Sequence, residues 1–360
     1  MLDVLIVEDS AAIRELLSYI IASDPDLRVA SAVASGEEAL LSVTRLRPSV
    51  ITMDIHLPGM DGFECTRRIM ETQPTPVVVV SGSASVDETA WAFRALDAGA
   101  LAVVPRPVGV QHPEFCAIKS QLLTTIKLMA EVKVVRRWHA ARDGNKPASR
   151  PKRLSLPPAP AAGRPEIVAM GASTGGPAAL RAILAELPAT FPLPIVAVQH
   201  MTPGFVGGFA EWLGESCSLP VRLARPGAQL VPGVFIAPDD RHLLIGSGRR
   251  LELAAGPPCN GVRPSIDVLF ESVAAVYGAR AVGVLLTGMG RDGAKELHGM
   301  RNCGAVTIAQ DRATSIVYGM PAAAVELGAA TFSLNPAQIA ALLPALAAGQ
   351  PFPHEAKLSS

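Results

Sequence analysis

Ile167-Val168-Ala169-Met170-Gly171-Ala172-Ser173-Thr174-Gly175-Gly176-Pro177 runs from an apolar, β-rich stretch through a turn of small residues into a helical pattern. Strand, tight turn and helix make the repeating step of a parallel α/β sheet, and the turn itself reads Gly-x-Ser-x-Gly. Small residues let the backbone turn sharply and leave the Ser173 hydroxyl exposed at the mouth of the sheet. The backbone N–H groups that follow, beginning with Thr174, lie at a helix N-terminus and suit a developing oxyanion. Pro177 is well placed in a first helical turn. A phosphate-cradling glycine turn is the competing reading, and it is weak because no complete G-x-G-x-x-G is present.

The same alternation extends in both directions. Strand-like runs recur at residues 195–199, 234–237, 281–286 and 305–309, with helical patterns at 178–186 and 266–277 between them. This predicts a doubly wound parallel sheet of α/β hydrolase type over residues 166–348. Nearer the N-terminus, residues 4–7, 28–34, 50–53, 77–80 and 101–104 read as strands separated by helices. That pattern predicts a second α/β domain, with helices on both faces of a parallel sheet, over residues 1–125. Apolar residues at helical spacing carry a last helix from His112 to about Arg137. Residues 126–165 read as a connector, helical and then rich in proline and in basic residues such as Arg142, Lys146, Arg150, Lys152 and Arg153. Residues 349–360 read as a tail.

Composition narrows the function. Apolar residues make up 49% of the 360, which suits two globular domains and argues against long disorder. Lys+Arg and Asp+Glu balance at 32 each, so no basic excess favours nucleic acid or an anionic membrane. Five cysteines, widely spaced and never in C-x-x-C, suggest a reducing compartment without a disulfide frame or zinc site. Leu2 to Asp9 has neither the basic nor the apolar region of a secretory leader, and no apolar run is long enough to span a bilayer. The expectation is a soluble cytoplasmic protein, monomeric and not inserted in a membrane.

Ligands of an open parallel sheet sit outside the carboxyl ends of its strands. In the first domain Glu8 and Asp9 follow the first strand, Asp54 ends the third and Ser81 the fourth. Three carboxylates converging at one edge stay ionised only around a cation, and Mg2+ is the natural occupant. Asp54 could then attack a phosphoryl donor. With the turn Pro58-Gly59-Met60-Asp61-Gly62 in register with five βα units, this region resembles response-regulator receiver domains, which have the flavodoxin-like fold. The resemblance implies Asp54 as phosphoacceptor, Glu8 and Asp9 as metal carboxylates with it, and a histidine kinase as phosphodonor. Receivers carry a lysine before a proline after the fifth strand, where this chain has Arg106, and an aromatic three residues earlier, where it has Val103. Those two departures put the efficiency of phosphorylation coupling in question.

In the second domain a serine nucleophile needs a base. His200 follows the strand at 195–199 and so shares a sheet edge with Ser173; His242 reads as a loop residue and His298 as a helical surface residue. For an orienting acid, Asp292 lies in a Gly-rich turn after the strand at 281–286, Asp267 reads as the cap of its own helix, and Asp239 and Asp240 as turn formers. The series Gly171-Ala172-Ser173-Thr174-Gly175-Gly176, Gln199-His200-Met201, Arg263-Pro264-Ser265-Ile266-Asp267 and Thr287-Gly288-Met289-Gly290 followed by Asp292-Gly293 resembles the catalytic domain of chemotaxis protein-glutamate methylesterases. That resemblance implies Ser173 as nucleophile, His200 as general base and acid, Asp292 as the acid that orients it, and the Met289 N–H as a second oxyanion donor beside Thr174. It implies hydrolysis of glutamyl γ-methyl esters on methylated chemoreceptors, with deamidation of glutamines by the same residues and no cofactor for the esterase step. The receiver is expected to restrain the esterase until Asp54 is phosphorylated. A DNA-binding response regulator is the rival class, but its output domain should be small, basic and helix-turn-helix-like.

Overall fold

The computed structural model describes residues 1–82, 86–132, 134 and 164–349, with residues 86–88 described in their backbone only. The chain divides into two compact units, Met1–Gly144 and Asn145–Ser360.

In the first unit, five strands alternate with helices: β1 (Leu2–Val7), α1 (Ala11–Ala22), β2 (Leu27–Val33), α2 (Gly36–Leu46), β3 (Val50–Met53), α3 (Gly62–Thr72), β4 (Val77–Ser81), α4 (Val86–Phe93), α5 (Ala95–Ala98), β5 (Ala102–Pro105) and α6 (Phe115–Ala130). All pairings are parallel and the order is β2-β1-β3-β4-β5. This is the flavodoxin-like order, with its switch point between β1 and β3. Near-continuous apolar runs make the central strands: Val4 to Val7, Val50 to Met53 (Thr52 included) and Val77 to Val80 are all buried, as a sheet covered on both faces requires.

The second unit begins with β6 (Ile167–Ala172), α7 (Gly176–Leu184), β7 (Pro194–Gln199), α8 (Val206–Ser216), β8 (Val221–Leu223), β9 (Gly233–Ile236), β10 (His242–Ile245), β11 (Leu251–Ala254) and α9 (Ile266–Tyr277). It continues through β12 (Ala281–Leu285), α10 (Ala294–Asn302), β13 (Val306–Gln310), α11 (Met320–Glu326), β14 (Phe332–Leu334) and α12 (Pro336–Ala347). The parallel sheet is ordered β14-β13-β12-β6-β7-β9-β8, and β10 and β11 form a separate antiparallel hairpin. From β6 the chain winds outward through β7, then returns to lay β12 on the other side of β6. The crevice at the carboxyl ends of β6 and β12 is therefore the switch point, where such sheets bind ligands. Helix α9 covers the centre of this sheet, burying Ile266, Leu269, Phe270 and Val273 against Ile167, Ala169 and Leu285.

The doubly wound prediction matches this architecture, and α9 has its expected limits. Four short strands, β8, β10, β11 and β14, lie outside the expected set, because runs of three or four residues carry no readable periodicity. His242, expected in a loop, lies in β10. The last helix of the first unit begins at Phe115 rather than His112; Phe115 N–H donates to the His112 carbonyl in a turn, and a residue before proline disfavours the helical region. Most of the basic, Pro-rich connector and nearly all of the tail fall outside the described residues. At the connector's end the Arg164 guanidinium donates to the Ala347 carbonyl at 2.8 Å.

Gly171 sets the distance between β6 and α9: a Cβ there would come within 2.3 Å of Cγ2 of Ile266. Gly171→Ala should therefore destabilise the second unit by about 1–3 kcal/mol, the usual penalty of overpacking. Calorimetric unfolding of the full chain should show that unit's transition moving down in temperature and the first unit's holding still.

Candidate functional site

Ser173 leaves the end of β6 in a turn closed by Gly176 N–H donating to the Ser173 carbonyl at 2.7 Å. Gly175, at φ 77°, is the residue before α7. Ser173 N–H donates to the Thr287 carbonyl at 3.0 Å, and His200 N–H to the Ala172 carbonyl at 2.9 Å. A Cβ added to Gly288 would lie 2.6 Å from Cβ of Ser173, so the turn after β12 presses directly on the serine. The structure thus brings Ser173, His200 and the 287–292 turn together at the carboxyl ends of β6, β7 and β12.

Two buried side chains brace this edge. The Gln199 amide donates to the carbonyls of both Ser173 and His200, at 2.9 and 2.8 Å. The Thr287 hydroxyl donates to the Thr174 carbonyl at 3.0 Å and accepts from Val317 N–H at 2.9 Å. Neither was singled out from sequence, although each lies within a motif that was. Among the described residues, no backbone acceptor or side chain takes the N–H of Thr174 or of Met289.

Asp292 Oδ2 lies 3.0 Å from Nε2 of His200. The imidazole N–H does not point along that contact, so the pair is close without a straight hydrogen bond. The carboxylate is held by other donors. Oδ2 accepts from Ile266 N–H at 2.7 Å; Oδ1 accepts from the Ser265 hydroxyl and the Asn260 amide, each at 2.8 Å. Ile266 is the first residue of α9, so Asp292 caps that helix from outside it and meets its positive end. Burial alone would push its pKa up, but His200, Asn260 and the helix N–H outweigh it and hold it down at about 2.

Asp267 does not cap its own helix. Its Oδ1 accepts from Gly293 and Glu296 N–H, at 3.0 and 3.2 Å, at the start of α10. The two helices exchange caps: Asp267 of α9 serves α10, and Asp292, just before α10, serves α9. Of the other candidates, His242 is buried, with Nδ1 accepting from Ser265 N–H at 3.2 Å and Nε2 3.0 Å from the Pro257 carbonyl. That fixes a neutral ring with the proton on Nε2, a structural role that a loop reading could not anticipate. His298 lies in α10 against Asn302, Asp239 accepts from Gly204 N–H, and Asp240 pairs with Arg263.

In the first unit, Glu8, Asp9 and Asp54 bring one oxygen each to within 4.8 Å of one another, outside the ends of β1 and β3. Asp54 Oδ1 accepts from Ile55 N–H at 2.7 Å and from the Arg106 guanidinium at 3.0 Å, and the same guanidinium nitrogen is 3.9 Å from Glu8 Oε2. Ser81 ends β4, its carbonyl accepting Arg106 N–H at 2.8 Å. Among the described residues Glu8 Oε2 is buried without a hydrogen-bond partner, and burial, with Asp54 second, pushes the Glu8 pKa up to about 7. Orphaned carboxylate oxygen beside two more carboxylates fits a hard divalent cation such as Mg2+.

Comparison with known proteins relates each unit to a known family. A family model described as CheB methylesterase matches residues 168–343, and one described as response regulator receiver domain matches residues 4–113. A protein of Nitrosospira multiformis named protein-glutamate methylesterase/protein-glutamine glutaminase is 51% identical, over 97% of this chain and 98% of that protein. One of Geobacter metallireducens with the same name, numbered 4, is 50% identical over 96% of this chain and 99% of its own length. The crystal structure of the Thermotoga maritima CheB methylesterase catalytic domain is 38% identical, covers 51% of this chain and 98% of that one, and superposes with a TM-score of 0.50.

The raised Glu8 pKa has a definite sign for stability. Its contribution to the first unit is fully present below the ordinary value of 4.5 and is lost as pH rises through about 7. Thermal unfolding in chelator should therefore show that unit weakening over this range, Glu8→Gln should flatten the dependence, and Mg2+ should restore stability at the alkaline end.

Proposed function

This chain belongs to the CheB methylesterase family and carries a response regulator receiver domain, and on that premise we propose that it hydrolyses glutamyl γ-methyl esters of chemoreceptors, and deamidates their glutamines, under control of phosphorylation at Asp54. By this reading residues 1–125 are the receiver, 126–165 the connector, 166–348 the esterase and 349–360 a tail. The observation that carries it is the approach of Asp292 to Nε2 of His200 at 3.0 Å, beside Ser173 at the switch point of the sheet.

Ser173 Oγ attacks the ester carbonyl carbon while His200 takes its proton. Because Asp292 occupies the Nε2 side, the nitrogen that receives the proton is Nδ1, the reverse of the arrangement in chymotrypsin-type triads. The negative oxygen of the tetrahedral intermediate is met by the N–H groups of Thr174, at the positive end of α7, and of Met289. The protonated His200 then protonates the leaving oxygen, methanol departs, and an acyl-Ser173 remains. Water, deprotonated by His200, releases the glutamate carboxylate. Asp292 stays ionised throughout; with its pKa near 2 it orients the ring and balances the imidazolium without taking the proton. With a glutamine substrate the leaving group is ammonia, a poorer one, and proton delivery by His200 matters more. The esterase step needs no cofactor on this reading.

In the receiver, Asp54 is the phosphoacceptor and a histidine kinase the donor. Mg2+ held by Glu8, Asp9 and Asp54 would neutralise charge on the group being transferred. The Arg106 guanidinium, which lies on Asp54, must shift to meet the phosphoryl oxygens, and the Ser81 hydroxyl is a second contact for them. Arg106 spreads its charge over a planar fork where other receivers present a compact ammonium, so signalling here runs through a different geometry. The substrate is a protein and the setting the cytoplasm; no helix among the described residues is long and apolar enough to cross a membrane.

Release of methanol from methylated receptor membranes tests the chemistry. Ser173→Ala and His200→Gln should each lower the rate by about 10⁴-fold or more, since the three residues act as a unit, and Asp292→Asn somewhat less. An active His200→Gln enzyme would sink the assignment of the base. Asp54→Asn, assayed with and without a small phosphodonor, should keep the basal rate and lose the stimulation; a variant still stimulated would remove Asp54 from the pathway.

A further inference from the structure

The strongest uncommitted feature is a single side-chain amide between two carboxylates. Asn260 Nδ2 lies 2.7 Å from Asp267 Oδ2 and 2.8 Å from Asp292 Oδ1. Those are the two residues through which α9 and α10 exchange caps. Each also accepts backbone donors, with Asp267 N–H itself reaching Asp292 Oδ1 at 3.3 Å, and among the described residues the amide is the one side-chain group that donates to both carboxylates.

The turn that carries Asn260 is built to deliver it. Cys259 and Val262 exchange both backbone hydrogen bonds, at 3.1 and 3.0 Å, around Asn260 and Gly261, whose φ values are 53° and 78°. A two-residue loop with both φ positive is the pattern of a type I′ turn, for which Asn-Gly is a favoured pair. The turn explains why asparagine is tolerated there. It does not require the amide to reach across to α9 and the start of α10, and glycine or aspartate would serve the turn as well.

We propose that Asn260 is a positioning residue for the esterase reaction: by donating to Asp267 and Asp292 together, it fixes the Asp292 carboxylate against His200 and keeps the two acids from repelling each other out of place. The inference rests on the assignment of Ser173, His200 and Asp292 made above. Two carboxylates this close would otherwise favour uptake of a proton by one of them, and a protonated Asp292 could not balance an imidazolium. The other charged groups facing the cluster are His200 from the end of β7, Glu296 and Lys295 from α10, and Glu271 from α9, with His242 of β10 reaching it only through Ser265. Asn260 itself is exposed, so its replacement opens no cavity in the core.

The test uses the full-length protein and a peptide carrying a glutamyl γ-methyl ester, with the acid limb of kcat/KM as the readout, since that limb reports the free enzyme's base. Asn260→Gly keeps the turn and removes the amide. It should lower kcat roughly 10- to 100-fold, the worth of one hydrogen bond to a charged group, with KM nearly unchanged. A looser Asp292 stabilises the imidazolium less, so the acid limb should move to lower pH. Asn260→Asp also keeps the turn but adds negative charge beside Asp292, and its limb should move to higher pH. Opposite displacements support the proposal. Any other result, including loss of rate with both limbs unmoved, assigns Asn260 to the turn alone and overturns it. Asp292→Asn run in parallel separates the two levels. An inactive Asp292→Asn beside unmoved Asn260 limbs defeats only this inference, whereas a fully active Asp292→Asn defeats the triad assignment beneath it.

Discussion

A buried carboxylate stays ionised only if donors surround it, and in the catalytic unit this requirement is met by exchanging caps between two helices. Asp292 accepts the first N–H of α9, and Asp267 of α9 accepts N–H groups at the start of α10. Each acid satisfies backbone donors that a helix start leaves open, and each therefore depends on the other's helix being in place. The exchange locks the turn after β12 to the helix that covers the centre of the sheet. Since that turn also receives Ser173 N–H and packs Gly288 against the serine, one electrostatic arrangement fixes Asp292 and the seat of Ser173 together.

The two units place their chemistry by the same topological device and then push their carboxylates in opposite directions. Both put reactive side chains outside the strand ends at a switch point, between β1 and β3 in one and between β6 and β12 in the other. At the second, Asp292 is held near a pKa of 2 by donors that outweigh its burial. At the first, Glu8 rises to about 7 because burial and the neighbouring Asp54 carboxylate prevail, and among the described residues one of its oxygens has no donor. A carboxylate rich in donors is fit to orient a base through many turnovers. One short of donors is fit to receive a cation.

The positions of the reactive groups also show how shared neighbours stiffen the sheet edge. Gln199 ties the carbonyl of Ser173 to that of His200, and Thr287 ties Thr174 to the segment that follows β13. These amide and hydroxyl clamps are short-range, buried and fully used as donors, so they hold strand-end loops that would otherwise be the least restrained parts of an α/β fold.

Local chemistry made much of this legible in the sequence. Continuous apolar runs define the central strands, small residues define the turn at Ser173, and strand-end positions single out Glu8, Asp54, His200 and Asp292 as groups sharing sheet edges. Short elements at the rim, such as β8 and β14, were not legible, because three residues do not establish a period. Nor did sequence show that His242 is a buried strand residue rather than a loop one, or that Asp267 caps α10 rather than α9. Those outcomes depend on which distant segments the winding of the sheet sets side by side. Asn260 came to stand between two carboxylates for the same reason: its turn was written in Asn-Gly, but its partners lie on α9 and before α10, and only the packed fold could bring them within one amide's reach.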